Sequence, residues 1–262
     1  FIGYDAGGGT WADAASNYNV GIGNYTMDAA MNEAVYNTAI GFTAGSAITT
    51  GDYNTFVGGL AGQDLTTGGN NVAIGVNALL RHTTGNHNIA IGNNAMTDTD
   101  AGSTSLGSEH NIFIGSTAGG GTWADAASTH NVAIGNYAMD AALNGALYNV
   151  AIGYEALTGL TSGDKNVAVG KGAGANGNMS LGVFVGYGAG AATMTSDADG
   201  SIFIGYNAGA NITSGQQNTA IGYQALTTED TGDYSTAIGY QALYTQNRDG
   251  TVGNTAVGYK AG

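Results

Sequence analysis

The residues able to do chemistry in this sequence are few, and their register matters more than their number. His87, His110 and His130 each stand five residues before a glycine that closes an Ile-Gly pair, at Gly92, Gly115 and Gly135. If successive copies of such a pattern stack, side chains in one register lie one strand spacing apart, about 4.8 Å. Imidazoles at that separation are close enough to share a metal ion. The same register also carries Tyr18, Tyr36, Tyr53 and Tyr148. The reading preferred on sequence is therefore an aromatic ladder in which His replaces Tyr, with no metal and no cofactor. A second aromatic series, Tyr187, Tyr206, Tyr223, Tyr240 and Tyr259, follows directly after glycines of the same kind. Amphipathic rings in such rows suit either sugar contact or simple stacking between coils. Trp11 and Trp123 occupy matching Gly-rich insertions, where they are candidates for receptor contact or for packing over a coil edge.

Other chemistries lack their residues. The chain has no Cys, which removes thiolate metal sites, thiol catalysis and disulfides. Acidic clusters such as Asp98-Thr99-Asp100, Asp197-Ala198-Asp199 and Glu229-Asp230-Thr231-Gly232-Asp233 have neither EF-hand spacing nor the Gly-Gly-x-Gly-x-Asp calcium repeat. They read as solvated surface. No serine, histidine and acid occur in a nucleophile motif. The five basic residues, Arg81, Lys165, Lys171, Arg248 and Lys260, are too scattered for a polysaccharide lyase. The chain is not expected to be an enzyme.

Composition narrows the class further. The 262 residues carry 5 basic and 19 acidic side chains, a formal charge of -14, which disfavours nucleic acid and anionic membrane surfaces as partners. No apolar run is long enough to span a bilayer. The chain begins with Phe and reads as a piece of something longer. With 47 Gly and no Pro there is no Gly-X-Y pattern, so collagen is excluded. Aliphatic residues this sparse, at this charge, predict disorder unless they recur at fixed positions.

They do recur. Fifteen copies of a motif typified by Asn71-Val72-Ala73-Ile74-Gly75-Val76-Asn77-Ala78-Leu79 run through the chain, spaced 16 to 23 residues apart. Below, positions are counted from the glycine of each copy, its anchor. The residue before the anchor is always Ile or Val. The residue three before is Val, Ile or Thr, and Ala stands three after in fourteen copies. Two β-branched residues at i and i+2 predict a short strand, ended by a glycine where close approach forbids a Cβ. Asn four before the anchor predicts a stacked amide ladder. The fold expected is all-β: a parallel β-solenoid of about fifteen coils, each with two or three short strands, stabilised by nearest-neighbour stacking. Residues 1–58 match 113–170, an offset of 112 residues, so 1–262 reads as one continuous repeat segment.

One volume trade bears on assembly. Two residues before the anchor stands Ala in nine copies, Gly21 in one, and Phe at Phe1, Phe56, Phe113, Phe184 and Phe203. Every Phe copy has Gly four after the anchor, whereas Leu or Met there goes with Ala or Gly at the earlier position. Large with small in both directions marks one close-packed layer. If the β-branched residues fill the coil interior, this layer is a second dry face that another copy of the chain covers. The alternative is that both positions belong to a single interior.

The copies at Asn218-Thr219-Ala220-Ile221-Gly222-Tyr223-Gln224-Ala225-Leu226 and Ser235-Thr236-Ala237-Ile238-Gly239-Tyr240-Gln241-Ala242-Leu243 resemble the head repeats of trimeric autotransporter adhesins. They also resemble the related repeat region of phage tail fibres and of surface proteins that end in an endosialidase-type chaperone domain. The resemblance covers essentially the whole chain. It implies a β-roll in a homotrimer, an extracellular place on a virion or cell surface, and a structural or adhesive role in attachment to a cell-surface glycan or protein receptor. The hexapeptide acyltransferase pattern fits poorly, because it does not recur every six residues between Gly222 and Gly239. A second function from a different class is a monomeric solenoid that binds an extended ligand, a polysaccharide or ice. Ice would want a regular Thr array, and Thr38, Thr55, Thr219, Thr236 and Thr255 fall at a position expected inside.

Overall fold

A computed structural model describes residues 1–10, 15–99, 107–123, 126–247, 249–251 and 253–262. It is a parallel β-solenoid, and among the described residues the only helix is a single 3-10 turn, Ser196–Ala198. The chain forms two compact units, residues 1–131 with 142–145, and residues 132–141 with 146–262.

In the first unit β1 (Val20–Ile22), β2 (Thr38–Ile40), β3 (Thr55–Val57), β4 (Val72–Ile74), β5 (Ile89–Ile91) and β6 (Ile112–Ile114) stack in chain order. Each pairs in parallel with the next, and motif residue meets motif residue: Val72 with Ile89, Ala73 with Ala90, Ile74 with Ile91. In the second unit the same register joins β7 (Val132–Ile134), β8 (Val150–Ile152), β9 (Val167–Val169), β10 (Val183–Val185), β11 (Ile202–Ile204) and β12 (Thr219–Ile221). It continues through β14 (Thr236–Ile238) and β16 (Thr255–Val257). A second short pair links β13 (Gly232–Asp233) to β15 (Gly250–Thr251).

Most coils thus hold one three-residue strand, fewer than the two or three expected. The reason is local backbone conformation. Positions five before, two after and four after the anchor are left-handed in coil after coil, as at His87 (φ 57), Asn77 (φ 58) and Leu79 (φ 54). Left-handed residues end extended structure. The turns still stack, because their N–H groups donate to the neighbouring coil: Asn77 to Gly59 at 3.0 Å, Leu79 to Ala95 at 2.9 Å.

The anchor glycine behaves as the sequence predicts. At Gly170 φ is +134, and a Cβ would stand 2.6 Å from the Gly186 carbonyl oxygen in the next coil. The amide ladder is also present, and it is buried. Asn71 Nδ2 donates to the Gly85 carbonyl at 2.9 Å, while its Oδ1 accepts the Asn88 backbone N–H at 2.9 Å. Asn54 and Asn88 repeat the arrangement one coil to either side. The glycine seven before the anchor is set by space rather than by the ladder, whose amides reach Ser108 and Met179 carbonyls equally well: a Cβ on Gly68 would stand 2.3 Å from the Gly85 carbonyl oxygen of the next coil.

The face assignment is reversed. Ala73, Phe56, Phe113 and Phe203, at the middle of their strands, are fully buried, whereas Ile74 is 38% exposed and Val72 half-buried. The coil interior holds the Asn amide, the strand's Ala or Phe, the Ala three after the anchor and the residue four after it. The β-branched side chains point outward. The volume trade is real but internal: a Cβ on Gly62 would lie 2.5 Å from the Phe56 ring, and one on Gly119 2.5 Å from Phe113. The Ala and Phe layer therefore needs no second copy to cover it. Its expectation as a subunit interface is withdrawn in favour of the single interior.

Candidate interaction surface

Strand alternation sends positions three before and one before the anchor outward together, and the two aromatic registers flank them in sequence at five before and one after. These four registers make up the outward face of each unit. Its middle ranks are β-branched and half-exposed, with Ile40 at 38% and Ile204 at 36%. None of the 19 acidic residues occupies any of the four registers, whereas Lys165, Lys171 and three of the four histidines do. On a chain of net charge -14, no carboxylate is rooted in these registers, and Glu109 beside His110 and Glu155 beside Tyr154 reach them only from neighbouring positions.

Both ladders form. Tyr187, Tyr206, Tyr223, Tyr240 and Tyr259 are exposed and stack at centroid separations of 5.4, 5.0, 5.2 and 5.2 Å, within 12° of parallel. The Lys171 ammonium falls in the same register and sits 5.5 Å from both the Tyr154 and Tyr187 rings, a cation between two aromatic steps. Because each ring covers its neighbour's face, the row presents hydroxyls and ring edges outward. In the first unit Tyr18, Tyr36 and Tyr53 stack at 4.8 and 5.1 Å, and His87, His110 and His130 at 4.8 and 4.9 Å.

Trp123 is packed inside rather than presented to solvent. Trp123 is fully buried, with its ring 5.6 Å from that of Phe113 and its indole N–H donating to the Gly119 carbonyl at 3.0 Å. This burial is what the packing reading expects of Trp123. Trp11 lies outside the described residues, as do Asp100 and Arg248.

The acidic residues are less uniformly solvated than expected. Glu229 is buried, accepting the backbone N–H groups of Asp230 and Gly232 on Oε1 and the Gln246 amide on Oε2 at 2.8 Å. Asp52 and Asp164, six before their anchors, accept N–H groups of Val35 and Leu147 from the preceding coil. His82 is likewise interior, 2.6 Å from Thr99 Oγ1 and 3.1 Å from the Asn88 amide. The clue in sequence is register: His82 and Glu229 both stand seven after an anchor, where Ile48, Leu65, Leu160 and Ile212 are core. Each meets a polar residue of the same register in the next coil, Thr99 or Gln246.

Among the described residues no group of three His or acidic side chains is closed around a metal position, and no helix is long and apolar enough to cross a membrane. A cavity opens where Thr245–Asn247, Asn254–Val257 and Gly262 border the last coil. No family model matches the chain, and no curated protein matches it.

Proposed function

We propose that this chain is a structural and adhesive repeat segment of an extracellular fibre, a phage tail fibre or a surface adhesin, acting in attachment to a cell surface. The observation that carries the reading is the outward face: ranks of half-exposed Ile, Val and Thr bordered by aromatic rows, with no acidic residue in any of those registers. Copies of a chain this acidic repel one another wherever carboxylates face each other, and this face is where they can meet. In the second unit eight strands at about 4.8 Å and a width of about 15–20 Å give about 500–700 Å². The first unit by itself presents several hundred Å² by the same count, and a stable interface takes about 800 Å² per partner. A homotrimer, as the resemblance to adhesin heads and tail-fibre repeats suggests, buries that face and leaves turns and tyrosine edges for a glycan or protein receptor.

Light scattering coupled to size exclusion tests the assembly. The expected mass is near three times 26.0 kDa, and Ile204→Lys with Ile221→Lys is expected to release folded monomer. A folded wild-type monomer sinks the trimer.

A second reading gains support from the reversed face. Thr38, Thr55, Thr219, Thr236 and Thr255 lie in outward registers rather than inside. The objection to a monomeric solenoid binding a polysaccharide or ice along its sheet is therefore weaker. Thermal hysteresis by a monomer would favour ice.

A further inference from the structure

We propose that the stacked tyrosines of the second unit are a site of oxidative cross-linking, where a peroxide-driven one-electron oxidant ties consecutive coils together through dityrosine. Tyr187, Tyr206, Tyr223, Tyr240 and Tyr259 stack at 5.4, 5.0, 5.2 and 5.2 Å between centroids, within 12° of parallel. Their exposure runs from 42% at Tyr240 to 73% at Tyr259, so every phenol in the row is open to an oxidant in solution. The chain has no Cys, and dityrosine is a covalent tie that needs none. Linking Tyr206 to Tyr223 closes one whole coil into a ring and restricts the unfolded chain as a disulfide does.

The chemistry requires the face-to-face arrangement. Hydrogen peroxide, acting through a haem peroxidase, takes one electron from each of two phenols, and each phenol releases its O–H proton. The unpaired electron of each phenoxyl is shared between the oxygen and the ortho ring carbons, in an orbital perpendicular to the ring plane. Rings that face one another therefore aim these orbitals at each other, and a carbon–carbon bond forms between two ortho carbons. Each of those carbons then loses its hydrogen as a proton while its oxygen regains one, which restores two phenols. The peroxide takes up the two electrons and two protons and leaves as two molecules of water. Parallel strand pairing holds the partners one coil apart, about 4.8 Å, so coupling within the row replaces a bimolecular encounter. Tyr137 and Tyr154, in the same unit, offer the contrast: they are comparably exposed and 5.8 Å apart, but they meet edge-on at 76°. There the orbital of one ring points at the rim of the other.

The inference goes beyond the fibre reading and needs no trimer. Its test treats the 262-residue chain, in dilute solution, with hydrogen peroxide and a haem peroxidase. Denaturing electrophoresis, then thermolysin digestion and tandem mass spectrometry, reads which residues are joined. The oxidised product is expected to run as a single chain of 26.0 kDa with dityrosine fluorescence. Its Tyr206–Tyr223 linked peptide is expected to exceed the Tyr137–Tyr154 one by roughly tenfold or more. Tyr223→Phe keeps the ring in the stack but removes the phenol that oxidation requires. With its fold checked by circular dichroism, that variant is expected to lose the links to Tyr206 and Tyr240 and to keep the one between Tyr187 and Tyr206. Oxidation is expected to raise the urea midpoint of the wild type, and to raise that of Tyr223→Phe less. Links formed chiefly between chains, equal yields from the stacked and edge-on pairs, or a folded oxidised chain without dityrosine overturns the proposal.

Discussion

A methyl group at Gly170 would meet the Gly186 carbonyl oxygen in the adjoining coil, and φ of +134 is closed to any side chain. Gly170→Ala is therefore expected to cost about 2–4 kcal/mol, read as a lower urea midpoint with little change in slope. Asp140 shows the opposite kind of defect. Burial holds its carboxyl above the ordinary value of 3.8, while hydrogen bonds from the Thr158 hydroxyl and the Asp140 backbone pull it partly back. A carboxyl with a raised folded value binds more protons folded than unfolded, so its contribution to stability falls as pH rises through that window. At neutral pH the charge is a small net cost, reduced by solvent screening. Asp140→Asn keeps an acceptor for Thr158 and is expected to raise the urea midpoint slightly at pH 7. The gain should shrink as pH falls toward 3.8, the ordinary value, and be gone below it, where Asp140 is neutral in both the folded and unfolded chain.

At the level of the strand, size sorts the two faces where polarity does not. Phe203 is fully buried, and a Cβ on Gly209 would lie 2.6 Å from its ring. Phe203→Ala should cost about 3–4 kcal/mol by leaving a cavity, and Gly209→Leu alone should also destabilise, by overpacking. Combined, they reproduce the Ala220 and Leu226 pairing of the next coil, and chemical denaturation is expected to recover more than half the loss. Additive costs in the double variant would refute the shared layer. This trade was legible in the sequence, as were the corner at Gly170, the Asn71 ladder and the Tyr and His rows. Each leaves a fixed residue at a fixed distance from an anchor. Which way the strand faces was not legible. In Val72-Ala73-Ile74 both faces are apolar, and three residues are too short for period two to announce an inside. The better clue was Asn71, two residues from Ala73 and so on its face: a stacked amide needs shelter from water to hold its register. Trp123 stayed open between contact and packing because nothing in a Gly-rich insertion specifies the direction in which it folds back.

Within each unit, stability rests on contacts between neighbouring coils rather than on one central core. Strand pairs join each coil to the next, the amides of Asn54, Asn71 and Asn88 follow the same order, and turn N–H groups do likewise. Energies in such an array add nearly as a chain of links. Removing residues 75–91 joins Ile74 to Gly92, restores an Ile-Gly corner and leaves Ala73 in one coil with Met96, a small and large pair already in use. That shortened protein is expected to fold, with a far-ultraviolet circular dichroism spectrum of unchanged shape. A removal of about half a coil should instead abolish the cooperative melt, because it puts side chains on the wrong side of the wall. The repeated register of the amide ladder thus lets a lineage count in coils, gaining or losing one at a time while the sequence of every remaining coil stays as it was.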